Sequence, residues 1–245
     1  MKTKSFLTTP EIQRILNKIF CDIIGISDPF AAEKKSSNEI ALDLYDTWKP
    51  KVATSANPFD LALRLAIAGN IMDYGANISF DIQQTITRVL MDNFAIDHSQ
   101  LLRERVSDAQ DILYLGDNAG EIVFDKLFIE TMINTNVTYV VKSKPVLNDV
   151  TMKDASQVGM FDVASVITNG FDAPSTVLSR CSNEFLRIYE SADLIISKGQ
   201  GNLEGLLPHS DPRIFFLLMV KCDIIANRLN VKKGDFVVYN QFAAI

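Results

Sequence analysis

From residue 111 onward, short apolar runs alternate with segments whose apolar residues recur at helical spacing. Strands that alternate with helices form βαβ units, which build a parallel sheet with helices on both faces. The pattern therefore predicts a three-layer α/β domain with a mainly parallel sheet of about five strands. The predicted strands are Ile112–Leu115, Val137–Val141, Val163–Thr168, Leu194–Ser197 and Phe236–Tyr239. The segments predicted as helical include Phe124–Ile133, Thr151–Val158, Thr176–Tyr189 and Ile214–Leu229.

Residues 1–110 show helical patterns and no convincing strand, which predicts a helical N-terminal bundle. The third of its helices, opened by Asn57-Pro58 and ending at Gly75, is apolar nearly all round and is therefore predicted to be central. The chain has no Gly/Ser linker, so we expect the parts 1–110 and 111–245 to pack together. The other predicted helices run from Pro10 to Gly25, from Asp28 to just before Pro50, around Ile82–Leu90 and from His98 to about Val106.

Charge and cysteine usage restrict the function classes. The net charge is −6 and no block of Lys or Arg stands out, which argues against nucleic acid or an anionic membrane as a partner. The three cysteines are far apart and odd in number, which fits neither a disulfide framework nor a zinc site. The N-terminus lacks the apolar core of a signal peptide, and no stretch has the ~18 apolar residues of a membrane span. These features predict a cytoplasmic protein with reduced thiols.

The stretch DILYLGDNAGEIVFDK, residues 111–126, joins a buried strand to a largely buried helix. Asp117 and Asn118 lie at the junction, and ligands of open α/β sheets bind at this edge. A carboxylate beside an amide oxygen supplies hard donors suited to Mg²⁺ or Mn²⁺. Both residue types also cap helices well, so a purely structural role is the alternative.

Polar residues follow the other predicted strands at the same edge. Asp154 lies in the first turn of the next helix and can point back towards Asp117, whereas Asp149 and Thr151 could simply cap that helix. Lys198 precedes Gly-Gln-Gly, and a lysine on such a loop can reach a phosphate as a mobile charge. Further polar residues at these strand ends are Lys142, Lys144, Asn148, Asn169, Asp172, Gln200, Asn202 and Glu204.

Gly69, Asn70 and Asp73 are small or polar positions within the apolar third helix. Asn70 and Asp73 are three residues apart and share a helix face. Since buried polar groups need partners, they either bridge helices or face the sheet edge and close the site. The two histidines, His98 and His209, have no ligand-like spacing.

Four motifs in order resemble those of the metal-dependent damage-control phosphatases, formerly domain-of-unknown-function family 89. They are AIAGNIMDYG (66–75), LGDNAGEIVFDK (115–126), KPVLNDVTMKD (144–154) and SKGQGNLE (197–204), and the pattern continues through FLLMVKC (216–222). The resemblance implies a Rossmann-like domain that hydrolyses small phosphomonoesters such as sugar phosphates with Mg²⁺, Mn²⁺, Co²⁺ or Ni²⁺. Members often carry a Cys-x-x-Cys near the start, where this chain has SFLTTPEI.

The resemblance also implies roles for individual residues. Asp117, Asn118 and Asp154 would hold the metal, and Lys198 would contact the substrate phosphate. The predicted substrate-binding residues are Gly69, Asn70, Asp73, Asn148, Lys198 and Asn202.

The predicted reaction has two open routes. In one, a metal-bound water attacks phosphorus, with Asp117 or Glu121 orienting it, and Lys198 and backbone N–H groups near Gly120 offsetting charge. In the other, Asp117 attacks directly and forms an aspartyl phosphate. The alternatives to a phosphatase are an S-adenosylmethionine-dependent methyltransferase and a non-catalytic module that binds a phosphorylated metabolite.

Overall fold

The computed structural model describes residues 8–70, 78–133 and 135–243, except for the side chains of residues 78–82. Within these ranges, the N-terminal part consists of helices and one two-residue strand. Its elements are α1 (Thr9–Ile24), α2 (Ala31–Ala53), α3 (Pro58–Ala68), α4 (Ile78–Met91), β1 (Ile96–Asp97) and α5 (Ser99–Asp108). No helix within these described ranges is long and apolar enough to cross a membrane.

The rest of the chain alternates strands and helices, as its apolar pattern predicts. The described strands form one seven-stranded sheet in the order β1-β7-β6-β5-β2-β3-β4. Strands β6, β5, β2, β3 and β4 are parallel, whereas β7 runs antiparallel to β6 and pairs with β1. The elements are β2 (Asp111–Leu115), α6 (Glu121–Ile129), β3 (Asn136–Val141), α7 (Met152–Gln157), β4 (Ser165–Thr168), α8 (Asn183–Ser191), β5 (Leu194–Lys198), α9 (Gly199–Leu206), β6 (Ile214–Met219), α10 (Asp223–Leu229) and β7 (Phe236–Tyr239).

The predicted α/β class is confirmed, but two strands were missed. Ile214–Met219 is the strand β6, not the start of a helix, because both faces of this continuous apolar run are buried and its periodicity cannot separate the two structures. Strand β1, two residues long, lies in the part predicted to lack strands. Several helix ends also differ from the prediction: α6 ends at Ile129 and not at Ile133, and α8 begins at Asn183 and not at Thr176.

Helix α2 continues through Pro50 to Ala53, because the Pro50 carbonyl still accepts a hydrogen bond from the Thr54 amide at 3.1 Å. Helix α3 ends at Ala68, before the predicted end at Gly75. Residues 71–77, which the prediction placed in that helix, lie outside the described residues.

Alternate residues of each strand face two separate apolar cores, as expected for a sheet covered on both sides. Ile112 and Tyr114 of β2 face a core shared with α2, α3 and α6. Leu113 and Leu115 face the other, which includes residues of α8, α9 and α10. Helices α2 and α3 therefore pack on the same face of the sheet as α6.

Candidate functional site

Loops after β2 and β3 are joined by backbone hydrogen bonds that place their polar residues side by side. The Ala119 amide donates to the Asn148 carbonyl at 3.0 Å, and the Val150 amide donates to the Asp117 carbonyl at 2.9 Å. Asn118 and Asp149 form an isolated antiparallel bridge between these bonds. Side chains from two strand ends are thus fixed in one place.

These loops form the floor of a cleft of about 220 Å³ at the carboxyl edge of the sheet. Asp117, Asn118 and Asp149 supply acidic and amide groups from the two loops, and Lys221, which follows β6, supplies a cation. The other lining residues are Pro10, Gln13, Leu147, Asn148, Pro174, Gln200, Gly201 and Glu204. The cleft therefore combines hard oxygen donors with one lysine, a set suited to a cation and an anion together.

Behind the cleft, two side-chain amides bridge two carboxylates. Asn70 Nδ2 lies 3.2 Å from Asp117 Oδ2 and 3.0 Å from Glu121 Oε2. Asn118 Nδ2 lies 2.8 Å and 3.3 Å from the same two oxygens. Asn70 thus joins the helical part to the sheet edge, which is one of the two alternatives that the sequence left open.

Lys198 is the last residue of β5 and is fully buried, so it does not lie on a mobile loop as predicted. Its ammonium lies 2.7 Å from Glu121 Oε1, 2.5 Å from Asp125 Oδ1 and 2.9 Å from the Ala66 carbonyl. Burial alone would lower the pKa of Lys198, but the charges of Asp125 and Glu121 outweigh burial and the pKa is raised. Lys198 is therefore a charged interior residue.

Asp125 is equally buried and accepts hydrogen bonds from the Tyr114 and Tyr139 hydroxyls, each at 2.8 Å. Burial raises the pKa of the Asp125 carboxyl to about 6, while the neighbouring Lys198 ammonium acts in the opposite direction. The sequence analysis did not single out Asp125. The only feature of the sequence that could have indicated Asp125 is its position as a charged residue within the largely apolar segment that forms α6.

Asp154 does not line the cleft. Its Oδ2 accepts hydrogen bonds from the backbone and side chain of Thr151 at 2.9 and 2.6 Å, as in a capping box. Its Oδ1 accepts from Asn38 at 3.2 Å, and the Lys34 ammonium lies 3.6 Å from Oδ2. Thr151 is thus the N-cap of α7, as the sequence analysis offered, and Asp154 completes its capping box, whereas Asp149 lies in the cleft.

The absence of a side chain at Gly199 leaves room for the Asp117 carboxylate. The backbone of Gly199 has a φ of 77°, and a Cβ there would overlap the Asp117 carboxylate. A residue with a side chain at 199 would have to displace Asp117 from the cleft wall. The glycine after Lys198 is thus a requirement of the site and not of a flexible loop.

The cleft residues fit a hard divalent cation. Among the described residues, no group of three or more His, Cys, Asp or Glu side chains is arranged to hold a metal. The cleft instead combines the carboxylates of Asp117 and Asp149 with the amides of Asn118 and Asn148. Oxygen donors of this kind suit Mg²⁺ or Mn²⁺, which usually bind one or two carboxylates and complete their shell with water and substrate.

Comparison with known proteins gives the family. Residues 5–237 match the damage-control phosphatase ARMT1-like domain. The chain belongs to this family. Two relatives named damage-control phosphatases, from Pyrococcus horikoshii and Archaeoglobus fulgidus, are 38% and 32% identical over 218 and 231 residues. These matches cover 87% and 91% of this chain, and 75% and 79% of the relatives.

A solved structure has the same fold. The crystal structure of a family-89 protein from Pyrococcus horikoshii superposes with a TM-score of 0.85 at 36% sequence identity, covering 93% of this chain and 80% of that one. The predicted resemblance is therefore confirmed. Membership of a damage-control phosphatase family also leaves the methyltransferase alternative without support.

The remaining predicted substrate-binding residues of this damage-control phosphatase domain are dispersed. Asn202 lies behind the cleft, where it donates to the Gly116 and Lys198 carbonyls at 3.2 and 2.9 Å. Gly69 lies where α3 approaches α6, and a Cβ there would be 3.0 Å from the Phe124 ring. Asn148 lines the cleft, whereas Asp73 lies outside the described residues.

Proposed function

We propose that this chain is a metal-dependent phosphatase that hydrolyses small phosphomonoesters, such as sugar phosphates, in metabolite damage control. The observation that carries the proposal is the cleft where Asp117, Asn118, Asp149 and Lys221 meet at the carboxyl edge of the sheet. Membership of the ARMT1-like family supports it. Three unpaired, half-buried cysteines fit the reducing cytoplasm, where we place the protein.

Asp117 and Asn118 would hold the divalent ion. Sequence reasoning offered Asp154 as the third ligand, but the position of Asp149 in the cleft favours Asp149. The candidate metals are Mg²⁺, Mn²⁺, Co²⁺ and Ni²⁺. When bound, such an ion polarises a phosphoryl oxygen and lowers the pKa of a coordinated water.

Lys221 is the cation best placed to meet a phosphate, because it lines the cleft while Lys198 is fully buried. Its ammonium would offset charge on phosphoryl oxygens. The Gly120 amide, predicted to help, instead donates to Asn38 Oδ1 at 2.7 Å. Lys221 therefore takes over the phosphate-binding role that the sequence analysis gave to Lys198.

Asp117 remains the candidate for taking a proton from water or attacking phosphorus, since its carboxylate lines the cleft. Glu121 is fully buried and is bonded to Asn70 and Asn118. We therefore propose that Glu121 and Lys198 act on the reaction through these amides and not by touching substrate.

Phosphate release tests the proposal. Metal-stripped protein is assayed with sugar phosphates and p-nitrophenyl phosphate, before and after each divalent metal is restored. We expect metal-dependent release that falls at least about 100-fold in Asp117→Asn and Asp149→Asn, because each removes a charged ligand. Asp154→Asn should keep activity within about tenfold and lose about 1 kcal/mol of stability through its weakened cap.

Three outcomes would count against parts of this proposal. Release that survives in Asp149→Asn but vanishes in a folded Asp154→Asn would restore Asp154 as the ligand. Release that needs no metal would remove the metal from the mechanism. No release by folded wild-type protein with any metal, together with tight binding of a sugar phosphate, would favour the non-catalytic binding module.

A further inference from the structure

The polar groups behind the cleft form one continuous chain of contacts into the core. It runs from Asp117 through the amides of Asn70 and Asn118 to Glu121, and from Glu121 to Lys198. Lys198 then contacts Asp125, whose two oxygens accept from Tyr114 and Tyr139. We call the four innermost residues, Tyr114, Asp125, Tyr139 and Lys198, the Asp125 cluster.

Stability alone does not explain the cluster. Its four side chains and that of Glu121 have no exposed surface, and removing two carboxylates and an ammonium from water is costly even when they are paired. Apolar residues of similar volume would often stabilise a core as well or better. A buried charged network that leads to a cleft residue therefore calls for a functional reason.

The side chains of the Asp125 cluster have little conformational freedom. The Tyr114 and Tyr139 rings stack with centroids 5.3 Å apart, so each hydroxyl is held against a different oxygen of Asp125. Tyr139 also passes under Gly116, where a Cβ would overlap its hydroxyl. Asp125 is thus fixed from the core side, and it in turn fixes the Lys198 ammonium.

At the cleft end of this series of contacts, the orientation of the Asp117 carboxylate is set. Lys198 holds Glu121 Oε1, which leaves Glu121 Oε2 to accept from Asn70 and Asn118. Both amides then donate to Asp117 Oδ2. The rotation of the Asp117 carboxylate therefore depends on where Glu121 lies, and Glu121 depends on Lys198.

We propose that Asp125, with Tyr114 and Tyr139, is a positioning unit that orients Asp117 through Lys198, Glu121 and the two amides. The inference rests on the proposed function, because it takes Asp117 as a ligand of the cation. None of the three touches substrate. Partners that orient a metal ligand from behind typically change metal affinity or activity by about 10–100-fold.

The test compares Tyr139→Phe and Asp125→Asn with Tyr189→Phe. Tyr189 also donates its hydroxyl to a carboxylate, Asp211, at 3.2 Å, but it lies in the other core. Tyr189→Phe thus removes the same kind of hydrogen bond but leaves the series of contacts that leads to Asp117 unchanged. Each metal-stripped variant is titrated with Mn²⁺ by electron paramagnetic resonance, and kcat, KM and Tm are measured on the metal-loaded protein.

We expect Tyr139→Phe and Asp125→Asn to weaken Mn²⁺ binding and lower kcat, each by about tenfold or more. KM should stay within about twofold, since the contacts that lead out from the cluster end at Asp117 and not at Lys221, the proposed phosphate-binding residue. Tyr189→Phe should match wild type in Mn²⁺ affinity and kcat. A residue that only supported the fold would lower Tm without this loss of Mn²⁺ affinity.

A folded Tyr139→Phe variant with wild-type Mn²⁺ affinity and kcat would overturn the inference, whether or not the Asp125→Asn variant folds. Wild-type protein that binds Mn²⁺ but releases no phosphate would refute the proposed function alone, and the Mn²⁺ affinities would still decide the inference. Wild-type protein that binds no Mn²⁺ would overturn the inference, and it would overturn the proposed function as well if no other divalent metal supports phosphate release.

Discussion

At Gly199 the backbone takes a positive φ of 77°, and a Cβ there would overlap the Asp117 carboxylate. Gly25 has nearly the same backbone conformation, with a φ of 70°, and nothing lies within 4 Å of where its Cβ would be. The two glycines therefore separate the cost of the backbone conformation from the cost of displacing Asp117. Alanine at either position would adopt the same unfavourable left-handed backbone conformation.

Gly199→Ala should lower both stability and activity, whereas Gly25→Ala should lower stability alone. We expect each to cost about 1 kcal/mol of unfolding free energy for the backbone conformation, and Gly199→Ala to cost more because of the overlap. Only Gly199→Ala should reduce metal-dependent phosphate release, by at least about tenfold. Urea unfolding and the phosphatase assay measure the two effects, and equal activity in both variants would contradict the role of this contact.

The sequence predicted the place of the site but not the direction of each side chain. Asp117 and Asn118 lie at a strand end as expected, because the apolar run before them and the helical pattern after them are unambiguous. Asp149 and Asp154 have similar sequence contexts, and only the backbone pairing of Asn118 with Asp149 determines which one enters the cleft. The glycines after Lys198 suggested a loop, whereas Gly199 begins α9 directly.

Among the elements, α1 contributes no buried residue. Ile12, Leu16 and Ile23 are 46%, 60% and 77% exposed. It contacts the α/β part through two ion pairs, Glu11 with Arg180 at 2.8 Å and Arg14 with Asp172, and the Arg14 guanidinium also lies over the Phe171 ring. The sequence predicted this amphipathic helix but not that its apolar face would lie open.

Ile23→Ser should therefore change the free energy of unfolding by no more than about 0.5 kcal/mol, since little apolar surface is lost. Leu63→Ala in α3 is the contrasting variant. Leu63 is fully buried, so its truncation should cost about 2–5 kcal/mol. Urea titrations give both values, and a cost above about 1 kcal/mol for Ile23→Ser would show that the α1 face is covered in solution.

Strand recognition depended on length and on the residues at each end. Phe236–Tyr239 was predicted with the bounds that the structure shows, because polar residues flank a short β-branched run. Ile214–Met219 runs into further apolar residues and was absorbed into a predicted helix. Two residues of β1 carry no periodicity, and they become a strand only by pairing with β7.

In the whole molecule, the predicted parts 1–110 and 111–245 share one core. Tyr114, Phe124 and Phe128 of the second part pack in the same cluster as Leu63 and Ile67 of α3. β1 of the first part also pairs with β7 of the second. Each part therefore buries the apolar surface of this shared core only with the other, which fits the absence of a linker in the sequence.

We therefore expect the full chain to unfold in a single cooperative transition and the fragment 111–245 to lack one. The fragment would expose the face of its sheet that α2 and α3 cover. Circular dichroism during urea titration would compare the two proteins. A fragment with its own sharp transition would show that residues 111–245 form an independent domain.

The two outer strands of the sheet are both short. At one end β1 has two residues, and at the other β4 has four. A strand edge presents unpaired N–H and C=O groups that can recruit a strand from another molecule, and short edges offer few of them. The longer, wholly apolar strand β6 is enclosed between β5 and β7. The order of the strands thus protects the folded protein against edge-to-edge aggregation, since the wholly apolar strand β6 is not at an edge.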